Sequence, residues 1–181
     1  IMNAIRHIFE VPLPLYKKQV LITAGTTVEQ IDPVRYITNF SSGKMGYALA
    51  DAACNMGGDV TLISGPVKLE APPEVNLISI NSAQQMLDEI IKIDLKKIDY
   101  IIMNAAVSDF RPSKILNEKI KHTKDNLLLN LEPVADILKE IRKKTDAQII
   151  AFALETNNGV EEAQRKLKEK GADFIVLNYA N

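Results

Sequence analysis

Cysteine is nearly absent: Cys54 is the only one in 181 residues. One thiol excludes a disulfide framework and any multi-cysteine metal site, and its place inside a helical pattern makes it a small buried hydrophobe. Histidine is almost as scarce. His7 and His122 fall in linker or loop without an acidic residue at a suggestive spacing, so no catalytic triad is read. No sign of charge dominates, with 22 Lys and Arg against 23 Asp and Glu. That balance argues against a nucleic-acid-coating surface or a polybasic membrane patch. No apolar run approaches the ~20 residues of a membrane span, and no signal peptide opens the chain. A cytoplasmic protein with no nucleic-acid and no membrane partner is expected. No internal repeat or low-complexity segment is present either.

The chain has 46% hydrophobic residues in one domain-sized length, enough for a real core. Its organising stretch is Val20 to Ala52. The run Val20-Leu21-Ile22-Thr23 reads as a buried strand meeting a glycine turn at Gly25. Ser41-Ser42-Gly43-Lys44 precedes apolar residues at helical spacing, Met45, Leu49, Ala52, Ala53 and Met56, with Ser42 as the expected N-cap. Strand, glycine and helix N-terminus form the geometry in which α/β proteins hold phosphate. Here, however, Gly25 and Gly43 are separated by a long polar insert with no G-x-G-x-x-G. Its Glu29, Asp32, Arg35 and Asn39 read as side chains for chemistry rather than packing.

Residues 2–9 suggest a short helix, followed by a proline-stiffened linker to about residue 17. Further strands are expected at 59–64, 77–80, 98–103, 127–131, 148–153 and 174–177, with helices at 83–93, 134–144 and 160–170. Ser82 caps the first of these helices and Gly171 ends the last. Apolar strands alternating with helices predict an α/β, Rossmann-like, doubly wound and mainly parallel sheet with helices on both faces. Its binding edge lies at the small residues Asn104-Ala105-Ala106. The lysines at 114, 119, 121 and 124 form a basic loop with no strong periodicity.

The stretch TAGTTVEQIDPVRYITNFSSGKMG, followed by Asn104 to Arg111, Lys119-Ile120-Lys121 and Phe152 to Asn158, resembles phosphopantothenoylcysteine synthetase, often the C-terminal half of a bifunctional coenzyme A biosynthesis flavoprotein. The resemblance runs from about Lys18 to Asn181, which is the ligase domain it implies. One departure is Thr26, where the family usually has proline; this frees φ at one loop position. The family continues past Asn181 with further strands, and a chain beginning at Ile1 reads as part of a longer protein.

What the resemblance implies is a CTP-dependent ligase that joins 4′-phosphopantothenate to L-cysteine through an acyl-nucleotidylate, with release of pyrophosphate. Mg²⁺ would arrive on the triphosphate, since no spacing suggests a protein metal site. FMN would be present only with the flavin-dependent decarboxylase half. Asn39 and Lys119 are implied to be catalytic, and Arg35 to complete the pocket of a neighbouring subunit in a homodimer with shared active sites. The implied nucleotide contacts are Gly25, Ser41, Ser42, Gly43, Met103, Asn104, Ala105 and Asp109, then Lys119, Ala135, Asp136, Ile137, Phe152, Lys166 and Lys170. Substrate would meet Arg35, Asn39, Ala105, Ala106 and Asp109.

Blander readings stay open beside these. Asn39 suits a turn, Arg35 a salt bridge to Asp32, Asp109 a loop cap, Phe152 a core position, and Lys166 with Lys170 a solvated helix face. Two other functions compete: an NAD(P)-dependent reductase, disfavoured by the missing glycine fingerprint, and a non-catalytic nucleotide-sensing module.

Overall fold

Val20, Leu21 and Ile22 are all buried, although successive side chains of a strand leave on opposite faces. A strand hidden on both faces needs a covered parallel sheet. The computed structural model, which describes residues 13–122 and 126–180, contains such a sheet. β1 (Gln19–Ala24) lies between β4 (Asp59–Ser64) and β6 (Tyr100–Met103). β5 (Asn76–Ser79) extends one side, and β9 (Gln148–Glu155) and β10 (Phe174–Tyr179) extend the other, every pairing parallel. The expected fold class holds, with the strands at 20–23 and 59–63 inside the sheet and the one expected at 98–103 shortened to Tyr100–Met103. The expected helix at 2–9 lies outside the described residues.

The two faces bury different partners. Leu21, Ile63, Ile101 and Ile149 pack under α2 (Ala83–Lys92) and α3 (Ile137–Arg142), against Met86, Ile90 and Ile141. Val20, Ile22, Val60 and Leu62 pack under α1 (Lys44–Asn55), against Tyr47, Ala50, Ala53 and Cys54. Each fully buried aliphatic side chain contributes about 1.5–3 kcal/mol, so the two layers fix β1 from both sides. Cys54 is thus the small buried hydrophobe expected. α4 (Gly159–Lys170) ends at Gly171, whose φ of 73° gives the left-handed stop.

Outside the sheet, two antiparallel ribbons form an arm. Val28–Gln30 (β2) pairs with Tyr36–Thr38 (β3) around the Asp32-Pro33 turn, and Phe110–Pro112 (β7) pairs with Leu131–Pro133 (β8). This corrects the strand expected at 127–131 and the helix expected from Val134. Leu127 and Leu128 are exposed and lie outside any strand. The chain enters the ribbon at Leu131 instead, where an Arg111–Glu132 ion pair of 2.8 Å ties the two strands. Glu132 and Pro133 are therefore spent on pairing, and the Val134 N–H donates to the Asp109 carbonyl. The helix starts only at Ile137, after Asp136 caps it by accepting from the Lys139 N–H.

Candidate active site at the switch point of the sheet

The chain leaves β1 towards β4 and β5, then returns to build β6 and β9 on the other side. The order reverses between β1 and β6, and the carboxyl edge of the sheet at such a reversal is where open α/β sheets hold ligands. A cleft of about 800 Å³ opens there. The loop after β6, from Met103 through Asn104, Ala105 and Ala106 to Asp109, lines its floor. One rim carries Asn39, Ser41, Ser42 and Gly43 at the head of α1. The other carries Ala135, Asp136 and Ile137 at the head of α3, with Phe152 of β9 and Lys166 and Lys170 of α4.

Glycine makes this assembly possible at two points. Gly43 has φ 73°, and a Cβ there would lie 2.6 Å from the Val67 Cγ1. At Gly46 a Cβ would lie 2.4 Å from the Ala24 Cβ, so α1 can rest its first turn on the end of β1. The N-cap is Gly43, not Ser42, because the chain turns into the helix through a left-handed conformation that serine rarely adopts. Ser41 Oγ accepts from the Gly43 N–H at 3.3 Å and Ser42 Oγ from the Lys44 N–H at 3.5 Å, while Gly43 has no side chain to cap the following N–H groups. Its head therefore keeps free donors facing the cleft.

A set of threonines, invisible to motif reading, shapes the floor. Thr23 Oγ1 accepts from the N–H groups of Asn104 and Ala105, both at 3.2 Å. Thr27 Oγ1 accepts from the Ser108 N–H at 3.0 Å. The Thr26 hydroxyl lies 2.9 Å from that of Thr38 and 3.1 Å from the Asn39 carbonyl. Asn39 then donates its side-chain amide to the Val107 carbonyl at 3.1 Å. The buried Ser108 hydroxyl has no hydrogen-bond partner among the described residues. Across the cleft, Lys166 pairs with Glu155 and Lys170 pairs with Asp136 at 3.3 Å. These are not freely solvated lysines: each is held by a carboxylate from another element.

Three of the anticipated site residues are not among those lining the cleft. Gly25 lies beneath Gly43, and Arg35 and Lys119 belong to the arm. The reading of the insert's acids as chemical groups is corrected. Glu29 is buried, and its Oε1 accepts from the Ala83 N–H at 2.9 Å, which caps α2. Asp32 is 1% exposed and accepts from the N–H groups of Val34, Arg35 and Ile120 and from the Arg35 guanidinium. Burial alone would raise its pKa, but these four donors outweigh it and hold the carboxyl well below the usual carboxylate range. The bland reading of Arg35 is thus realised, although its side chain remains 41% exposed.

Residues 15–181 match the model of the DNA/pantothenate metabolism flavoprotein C-terminal domain. The chain belongs to that family. It is 46% identical over 171 residues to the coenzyme A biosynthesis bifunctional protein CoaBC of Vibrio vulnificus, covering 92% of this chain and 42% of that protein. It is 44% identical over 168 residues to a protein of an unknown prokaryotic organism named cysteine/cysteine sulfinic acid decarboxylase, covering 91% and 46%. The crystal structure of the C-terminal domain of a CoaBC protein superposes with a TM-score of 0.80 at 45% identity, covering 91% of this chain and 78% of that one. The chain thus spans less than half the length of these two curated relatives. No helix among the described residues is long and apolar enough to cross a membrane.

Proposed function

We propose that this chain is the phosphopantothenate–cysteine ligase domain of a cytoplasmic coenzyme A biosynthesis enzyme. Its co-substrate is CTP, entering with Mg²⁺ held by phosphate oxygens and water. The observation that carries the reading is the cleft itself. It brings Asn39, the small residues Ala105 and Ala106, a helix head with a glycine N-cap and two lysines around one volume sized for a nucleotide and a second substrate. A dedicated metal cage does not compete with this use: no group of three or more His, Cys, Asp or Glu among the described residues could hold an ion.

A carboxylate is a poor electrophile and must first be activated. One carboxylate oxygen of 4′-phosphopantothenate attacks the α-phosphorus of CTP, the bond to the β-phosphate oxygen breaks, and pyrophosphate leaves. The amine of L-cysteine then attacks the acyl carbon, the C–O bond to CMP breaks, and the amine loses a proton. The head of α1, with Ser41, Ser42 and Gly43, suits the phosphates. Lys166 and Lys170 face them across the cleft, Ala105 and Ala106 let ligand approach backbone, and the Asn39 amide serves the acyl-nucleotidylate. Lys119 is a third cation for the triphosphate, beside Lys166 and Lys170. Ala135, Asp136 and Phe152 suit the nucleoside.

The active unit is a homodimer. Its contact is the arm, where Val34, Tyr36, Phe110, Ile115, Leu127 and Leu128 stand exposed, Leu128 at 90%. So many exposed apolar residues on two small ribbons mark an interaction surface. Arg35 on that arm then completes the partner's pocket. FMN would be bound only where a decarboxylase half is joined to this domain.

Mixing the protein with CTP, Mg²⁺ and 4′-phosphopantothenate should release pyrophosphate before cysteine is added, and Lys119→Gln should slow that step. ATP, GTP and UTP in parallel measure base preference. No pyrophosphate from any nucleotide, with binding intact, would favour the nucleotide-sensing module; oxidation of NADPH would favour the reductase.

A further inference from the structure

Arg35 and Lys119 are far apart in sequence, lie on different ribbons' connections, and are both missing from the residues that line the cleft. They meet at one atom. Asp32 Oδ2 accepts from the Arg35 Nη1 and, at 3.0 Å, from the N–H of Ile120, the residue next to Lys119. Two donors on one oxygen are neighbours by construction, so the guanidinium and the Lys119 backbone share a small volume. A second tie repeats the docking, with the Leu116 N–H donating to the Ile31 carbonyl at 2.9 Å. Arg35 commits Nη1 to Asp32 while its side chain stays 41% exposed, and Lys119 is exposed beside it. The buried carboxylate therefore ties the Arg35 side chain and the backbone that carries Lys119 to one point of the arm.

We infer that Asp32 is a positioning residue that joins Arg35 and Lys119 into a single anion-binding unit, and that both serve the same cleft, that of the neighbouring subunit. This rests on the shared-site dimer proposed above and deepens it. Anionic substrate, carboxylate or phosphate, would meet a guanidinium fork and an ammonium delivered together.

The test is the pattern of complementation in purified, differently tagged heterodimers. Arg35→Ala with Asn39→Asp is the control for shared sites, since one of its two clefts has both groups intact. It should recover about half of the wild-type dimer's activity when sites act independently. If Lys119 travels with Arg35, Lys119→Gln should also recover about half with Asn39→Asp, by the same count of intact clefts. It should recover nothing with Arg35→Ala, because each cleft then receives a defective arm. Asp32→Asn should fall in the same class as Arg35→Ala. The reverse pattern, recovery of Lys119→Gln by Arg35→Ala and none by Asn39→Asp, would overturn the inference while leaving the shared-site reading intact. A silent control pair beside an active wild-type dimer would remove the shared site and the inference with it. Lys119→Gln changes an exposed side chain, so its result stands even if Asp32→Asn fails to fold. Full activity of a folded Asp32→Asn homodimer would equally reject the positioning role.

Discussion

Asn39 holds its side-chain amide against the Val107 carbonyl through a frame that Thr26 and Thr38 complete. A side chain so placed can turn from that carbonyl to an acyl-nucleotidylate without moving its backbone. Asn39→Asp is expected to preserve the fold and most CTP affinity while losing amide formation. The loss of one such donor corresponds to roughly 2.7–4 kcal/mol in the transition state; single-turnover measurement of both half-reactions checks it, and full turnover rejects the role. Asp32 makes a different prediction, about pH. Its folded pKa lies below the unfolded value, so the stability it contributes is present above about pH 4 and is lost as pH falls below that. Acid unfolding of the wild type should therefore show a steep limb below about pH 4 that is reduced in Asp32→Asn. Superimposable acid limbs would mean that the carboxylate titrates alike folded and unfolded. Motif reading placed Asn39 at the cleft but misjudged Asp32 and Glu29, because the Ile120 N–H that meets Asp32 and the Ala83 N–H that meets Glu29 lie far off in sequence.

At the scale of elements, the apolar strands were legible because burial on both faces leaves a continuous run of aliphatic residues. The capping box of α2 was equally local: Ser82 Oγ accepts from the Gln85 N–H, and Gln85 Oε1 from the Ser82 N–H. The ribbons were not legible. β2 and β3 have three residues each, and the Leu127-Leu128-Leu129 run carries a strand-like composition with no partner to pair it. Only the tertiary pairing of Arg111 with Glu132 reveals where the strand begins. The packing of α1 on β1 gives a test in which two effects compete. By helix propensity, Gly46→Ala should stabilise α1 by about 1 kcal/mol. A Cβ 2.4 Å from that of Ala24 instead forces the helix away from the strand, and such overpacking typically costs about 1–3 kcal/mol. The clash should win: a lower denaturation midpoint is expected, with weaker CTP binding because the helix head moves. A raised midpoint would show that α1 has room the structure denies it.

At the scale of the whole molecule, the sheet supplies a rigid platform, the switch point supplies a cleft that holds Lys166 and Lys170, and the arm carries Arg35 and Lys119 outside that lining. The insert between β1 and α1 spends Glu29 on α2 and Asp32 on its own turn, and leaves Arg35 exposed. The most direct measurement follows the carboxylate oxygen. With 4′-phosphopantothenate labelled with ¹⁸O in its carboxylate, CTP, Mg²⁺ and L-cysteine, attack on the α-phosphorus should deliver one labelled oxygen to CMP in each turnover and leave the other in the new amide. Unlabelled CMP, or label in inorganic phosphate alongside CDP, would contradict an acyl-nucleotidylate formed in this cleft.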